Sequence, residues 1–206
     1  MIGIFDSGLG GLTALREIRR LFPMQELIYF GDTGRVPYGS RSRETILKYA
    51  MQDMRFLTSF PAEAIVVACG TVSTTALPFL RKAFDIPVIG VVEGAAEAAV
   101  KSTRSGKIAV IGTAATVRTE AFPKAIHALM PDAEVTSKAC PLFVPLVENG
   151  FIGSDDEVTK LVCRRYLEPI RETGCDTLIL GCTHYPIIAP VIAQALPGVT
   201  LINTGL

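Results

Sequence analysis

Two short apolar runs, each halting at a cysteine with a threonine close behind, constrain this chain more than any other feature. Residues 64–71 read AIVVACGT and residues 177–186 read TLILGCTHYP. A continuous apolar run is what a central parallel strand requires, because helices cover both of its faces. Open α/β sheets bind ligands just beyond the carboxyl ends of their strands, which is where Cys69 and Cys182 fall. The two ends therefore read as two halves of one site.

Around these runs, short apolar strands alternate with amphipathic helical stretches, the pattern of an α/β protein with largely parallel sheets. The expected strands are Ile2 to Phe5, Leu27 to Phe30, Ala64 to Ala68, Pro87 to Val91, Lys107 to Ile111, Glu134 to Ser137, Thr177 to Leu180 and Val199 to Ile202. They fall into two sets of four with matching offsets. Ile4 to Ile28 is 24 residues and Ala109 to Val135 is 26, while Ile65 to Val88 is 23 and Leu178 to Thr200 is 22. Such offsets suggest a duplicated unit with the cysteine after the third strand of each copy. The domain boundary is placed near residue 97, in the small-residue helix GAAEAAVKSTRSG, giving domains of residues 1–97 and 98–206.

Helix signals between the strands are clear. Leu12, Leu15, Ile18 and Phe22 form one apolar face, and Ile46, Ala50, Met54 and Leu57 a second. Val158, Leu161, Val162 and the stretch from Arg165 to Ile170 carry a third, opened by a capping box of Ser154 and Glu157. Pro78 and Pro123 predict kinks or late helix starts.

Composition excludes several functions. Twenty basic and twenty acidic residues cancel without like-charge runs, so no electrostatic footprint for nucleic acid or an anionic membrane exists. No apolar stretch reaches the ~20 residues of a membrane span, and the chain opens directly on the strand MIGIF; the expected location is cytoplasmic. Five cysteines without a CxxC pair, and histidines only at 127 and 184, argue for free thiols and against a metal site. The expected partner is a small molecule.

Several stretches carry possible chemistry. In FDSGLGGLT, Phe5 to Thr13, the glycines can expose N–H groups at a helix start, an anion site or simply a tight turn. Asp6 beside free amides suits an ammonium-bearing ligand. GDTGRVPYGS, Gly31 to Ser40, reads as a fixed loop whose amides around Tyr38 and Gly39 can hold a carboxylate. Cys69 and Cys182 each sit at an expected strand-to-helix turn, where a helix N-terminus or a nearby positive charge lowers a thiol below its usual ~8.5 and makes it a usable base. Cys140, Cys163 and Cys175 lack such a setting and read as space-filling, and His127 as structural. Glu148, in the loop expected after the sixth strand, stands either as a proton-handling group or as a solvated loop residue. GTAATVRT offers Thr113 and Thr116 as hydroxyl donors.

Taken together, FDSGLGGLT, FGDTGRVPYG, VVACGTVS, CPLFVPLVENG and LILGCTHYP resemble the glutamate racemase family across the whole chain and in order. The resemblance implies two pseudo-symmetric α/β parallel-sheet sandwich domains with the active site in the cleft between them, usually in a homodimer. It implies cofactor-independent interconversion of L- and D-glutamate, supplying D-glutamate for peptidoglycan, with no metal. Cys69 would take the α-proton of D-glutamate and Cys182 that of L-glutamate. Asp6 would assist Cys69, and Glu148 and His184 would assist Cys182. Asp6, Ser7, Tyr38, Gly39, Gly70, Thr71, Thr183 and His184 fall on the family's substrate-binding positions, with Thr113 and Thr116 as further hydroxyl donors.

The physics agrees, because racemisation needs an acid and a base on opposite faces of a planar carbanion. Two departures stand out. Gly70 replaces the asparagine usual after the first cysteine, and Asn203 stands where an acidic residue is usual. Family members also continue with helices that complete the first domain, a segment absent from this sequence. Gly70 leaves pocket size open, so a racemase for aspartate or another acidic amino acid is the nearest rival. A non-catalytic dicarboxylate-binding protein is the rival from another class.

Overall fold

The computed structural model describes residues 1–205. The first half forms a four-stranded parallel sheet from β1 (Ile2–Asp6), β2 (Leu27–Gly31), β3 (Ala64–Val67) and β4 (Val88–Ile89), in the spatial order β2-β1-β3-β4. The second half repeats it with β5 (Lys107–Gly112), β6 (Glu134–Ala139), β7 (Thr177–Leu180) and β8 (Thr200–Asn203), in the order β6-β5-β7-β8. Every strand pairing is parallel. The repeat read from strand spacing is thus a repeat of topology, and the α/β class of two parallel-sheet units holds.

In each sheet the chain leaves the first strand toward one edge and returns to add the third strand on the other side. That reversal opens a crevice at the carboxyl ends of the two central strands. Asp6 ends β1 and Cys69 follows β3; Thr113 follows β5 and Cys182 follows β7. The four central strands therefore deliver the chemistry-bearing residues to one place.

Helices cover the sheets. In the first half these are α1 (Leu12–Leu21), α2 (Arg43–Leu57), α3 (Gly70–Thr75) and α4 (Leu77–Ala83). The second-half helices are α5 (Val92–Ser102), α6 (Ala114–Arg118), α7 (Ala121–Leu129), α8 (Phe143–Glu148), α9 (Glu157–Glu172) and α10 (Ala189–Ala195). The expected α2 face of Ile46, Ala50, Met54 and Leu57 is fully buried against Phe5, Ile65 and Val67. On the other side of the first sheet, α1 forms only a small cluster of Ile4, Ala14 and Ala68. The second sheet is thickly covered on both faces, by a cluster running from Ala109 through Leu167 to Leu196 and by another in which α5 and α7 meet Ile108, Val110 and Ile179.

Four local expectations are corrected. The capping residue of α9 is Asp156, whose carboxylate accepts the Thr159 N–H at 2.8 Å, so the Ser154 box lies outside the helix. The buried stripe of α9 is Thr159, Cys163, Leu167 and Ile170, because spacing of three and four places these on the sheet side and turns Val158 and Leu161 outward. On α1 the only buried residue is Ala14, with Leu12 and Phe22 exposed. Strand β4 shrinks to Val88–Ile89: Pro87 contributes only its carbonyl, to the Ile65 N–H at 2.9 Å, and Val91 already caps α5. Pro78 does mark a late helix start, in the first turn of α4.

Candidate active site

The crevice gathers a chain of polar contacts from both halves. Asp6 is fully buried; its carboxylate accepts the Gly8 N–H at 3.0 Å and, across the cleft, the Thr183 hydroxyl at 3.1 Å. The anion seated on the DSGLGG turn is therefore the chain's own carboxylate. Burial pushes the Asp6 carboxyl above its ordinary range, against the opposing pull of His184 and the Gly8 and Gly11 amides.

Each thiol has its own partner. Cys69 caps the N-terminus of α3 and donates its S–H to the Ser7 hydroxyl oxygen at 3.3 Å. Cys182 lies 3.7 Å from His184 Nδ1, and His184 Nε2 is 2.5 Å from Glu148 Oε1. With Nε2–H donating to Glu148, Nδ1 is left to accept a proton from sulfur. Glu148 is the last residue of α8 rather than part of a loop, and the helix end carries its carboxylate over the first-half turn at Gly8.

The expectation that helix ends lower the thiols is also corrected. Burial pushes Cys69 up to about 11, with the charge of Asp6 adding to it, and pushes Cys182 up further still. Taking sulfur's negative charge out of water outweighs what a six-residue helix returns. In this arrangement burial favours the neutral thiol at both positions.

The threonines form the other half of the crevice. Thr71 Oγ1 is 2.9 Å from Thr113 Oγ1, which is 3.0 Å from Thr116 Oγ1, linking α3 of the first half to the start of α6 in the second. Thr113 also caps α6 by accepting the Thr116 N–H at 3.2 Å. The Gly39 carbonyl accepts the Ala115 N–H at 3.0 Å, and a Cβ on Gly39 would stand 2.4 Å from the Thr113 Cβ. Gly70 is tighter, since a Cβ there would stand 2.2 Å from the Gly181 carbonyl oxygen. Glycine at these two positions lets the strand ends of the two halves touch.

Among the candidate site residues, the Tyr38 side chain turns away from the crevice. It points beneath the loop, where its hydroxyl donates to Asp53 at 2.7 Å and also contacts Asp32. Arg35 completes the cluster with contacts of 2.5 Å to both Asp32 and Asp53, and its guanidinium lies 4.3 Å from the Tyr49 ring centroid. Burial pushes Asp53 up to about 6. This brace fixes the Tyr38–Gly39 backbone, and sequence reading missed it. The signal was available: Asp53 lies among Ile46, Ala50, Met54 and Leu57 on the buried face of α2. Tyr29 was missed too; its hydroxyl donates to the Gly8 carbonyl at 2.5 Å and pins the first turn.

The space-filling readings hold. Cys140, Cys163 and Cys175 are buried in the second-half core, and the His127 Nε2 lies 3.0 Å from the Ala133 carbonyl. Among the described residues no group of three or more His, Cys, Asp or Glu side chains is placed to share a metal ion. No helix among them is long and apolar enough to cross a membrane.

Comparison with known proteins gives a consistent answer. A sequence model of the family described as Asp/Glu/Hydantoin racemase matches residues 13–205. The glutamate racemase of Geobacter metallireducens is 50% identical over 195 residues, covering 95% of this chain and 72% of that protein. Among solved structures, glutamate racemase isoform RacE1 of Bacillus anthracis superposes with a TM-score of 0.95 at 42% identity, over 100% of this chain and 77% of that one. The Francisella tularensis glutamate racemase, solved in complex with D-glutamate, superposes with a TM-score of 0.92 at 40% identity, over 100% and 76%.

Proposed function

The chain belongs to the Asp/Glu/Hydantoin racemase family, and from that premise we infer that the reaction it catalyses, the interconversion of L- and D-glutamate, runs by two-base proton transfer between Cys69 and Cys182. The observation that carries this reading is the placing of both thiols at equivalent ends of β3 and β7, with separate proton partners. A planar carbanion held between them receives a proton from one face after losing one to the other.

Each group has a role in that reading. Ser7 and Asp6 serve Cys69; His184 and Glu148 serve Cys182 as a relay that passes the proton away from sulfur. Asp6, with its carboxylate at the crevice floor, also meets the substrate ammonium. Thr71, Thr113, Thr116 and Thr183 offer hydroxyls, and Gly39 and Gly70 offer backbone, to the two carboxylates of glutamate. Donors aimed at the α-carboxylate stabilise the carbanion's charge without an external electron sink. Tyr38 contributes through its backbone, held in place by Asp32, Asp53 and Arg35.

The proposal extends to two lobes, residues 1–97 and 98–206, closing on the substrate, with the boundary inside the crossover helix α5, which packs on β7, β8 and α7. It further places the protein in the cytoplasm as a homodimer, supplying D-glutamate for peptidoglycan.

The test is exchange in deuterated water without added cofactor. Deuterium should replace the Cα proton of glutamate as optical rotation decays. Absence of exchange by freshly reduced protein, or a Cys69→Ser variant that matches the wild type, would defeat the reading.

A further inference from the structure

Behind the threonine contacts, on the outer side of α3 and α6, lies a second cavity of about 390 Å³, within the ordinary range for small-molecule sites. Its walls come from both halves. Arg43 at the start of α2, Thr74 and Thr75 at the end of α3, and Phe79 on α4 face Arg118 and Thr119 of the second half. None of the side chains assigned to the racemisation site lines it.

Three observations point to what it holds. Among the described residues neither Arg43 nor Arg118 forms an ion pair, and no acidic side chain lines the cavity, so two exposed guanidinium groups face it. The Thr75 hydroxyl is buried without a hydrogen-bond partner, the one buried side-chain polar atom among the described residues in that position. Buried hydroxyls are nearly always paired, so Thr75, a lining residue, holds a donor that is unspent until its side chain turns toward an acceptor in the cavity. Finally, the Arg43 guanidinium lies 5.1 Å from the Phe79 ring centroid, a contact that restrains its long side chain beside an apolar wall.

We propose that this cavity binds a small organic anion bearing a phosphate or carboxylate group, bridging Arg43 of the first half and Arg118 of the second. Guanidinium forks suit such oxygens, and the Thr75 hydroxyl, once its side chain turns toward the cavity, adds a neutral donor. Because its two arginines belong to different halves, a bound anion ties α2 to α6 and holds the cleft shut. The site is thus a clamp that acts on the buried thiols from outside the crevice.

The test uses inorganic phosphate and citrate as probes, with calorimetry for binding and the rate of Cys69 and Cys182 modification by an aromatic disulfide as the readout of closure. Either probe should bind the intact chain and slow thiol modification. Arg43→Ala and Arg118→Ala should each weaken binding by about tenfold or more and remove the slowing, while glutamate racemisation in anion-free buffer stays within about twofold of wild type. Thr75→Val should weaken binding while raising the melting temperature of the ligand-free protein. Tighter phosphate assigns a phosphorylated ligand, and tighter citrate assigns a polycarboxylate. The proposal is overturned if neither probe binds, or if binding and slowing survive both arginine substitutions. Racemisation is measured separately, so its loss would count against the two-thiol mechanism and not against this site.

Discussion

The two halves present their thiols on the same backbone device, a third parallel strand that stops at the crevice, yet they surround them differently. Cys69 rests on a hydroxyl, Ser7, at the N-terminus of a regular α-helix. Cys182 enters a tighter 3-10 turn at Tyr185–Ile188 and faces an imidazole backed by a carboxylate. In the proposed reading, the duplicated fold fixes where the sulfur goes, and side chains that differ between the two halves fix how its proton leaves. Scaffold symmetry and chemical asymmetry are separable, so the two faces of the reaction can be perturbed one at a time.

Removing either sulfur should produce the largest effect. Cys69→Ala and Cys182→Ala are each expected to lower kcat by about 10³-fold, within the range for loss of a general acid or base. A steady-state assay showing either variant above a tenth of wild type would break the equivalence of the halves. Next, His184→Asn should cost about 10²-fold and Ser7→Ala about tenfold, because one removes a proton acceptor and the other a hydrogen bond. The equilibrium between enantiomers is unity, so kcat/KM must fall equally in both directions. The difference appears in the isotope effect: with Cα-deuterated substrate, His184→Asn should enlarge it from the L side and Ser7→Ala from the D side.

Smaller effects follow from the contact between halves. Gly70→Ala places a methyl group within 2.2 Å of the Gly181 carbonyl oxygen, so the halves must part. A rise in KM of about tenfold and a stability loss of ~1–3 kcal/mol are expected, measured by kinetics and urea unfolding. Thr71→Val removes one hydroxyl from the cluster with Thr113 and Thr116 and should cost ~1 kcal/mol. A further effect is a slope in pH. Cys69 is raised to about 11 and Cys182 higher by burial, while an unfolded thiol titrates near ~8.5. Their stabilisation is complete below about pH 8.5 and lost as pH rises through the folded values, since the unfolded chain gives up those protons first. Replacing one thiol by alanine should flatten the fall in stability by up to about 1.4 kcal/mol per pH unit. Melting curves between pH 8 and 10 would show it.

Strand identity and the position of both cysteines were legible because continuous apolar runs leave little freedom in an α/β sheet. Ile46, Ala50, Met54 and Leu57 were legible for the same reason, as one face of one helix. The α9 stripe was misread because Val158 and Leu161 are apolar yet exposed, while Thr159 is polar yet buried and donates its hydroxyl to the Phe151 carbonyl at 2.8 Å. Hydropathy does not register a hydroxyl satisfied by backbone. The thiol shift was misread in direction because spacing reveals a helix start and cannot reveal how thoroughly water is excluded. The Arg35–Asp32–Asp53–Tyr38 brace joins a loop to the middle of α2, a juxtaposition that only the folded chain displays.

The pairing of the site's polar groups with one another sets how it meets its substrate. Thr183 already serves Asp6, Thr71 already serves Thr113, and Glu148 already serves His184. In the proposed reading glutamate therefore exchanges partners with groups that are satisfied without it, and its apparent affinity is the intrinsic one scaled by the fraction of molecules that have let go. The same exchange favours departure, because each contact given up by the product is remade within the protein. For a reaction with no downhill direction of its own, an enzyme that rebinds itself is one that does not hold either enantiomer for long.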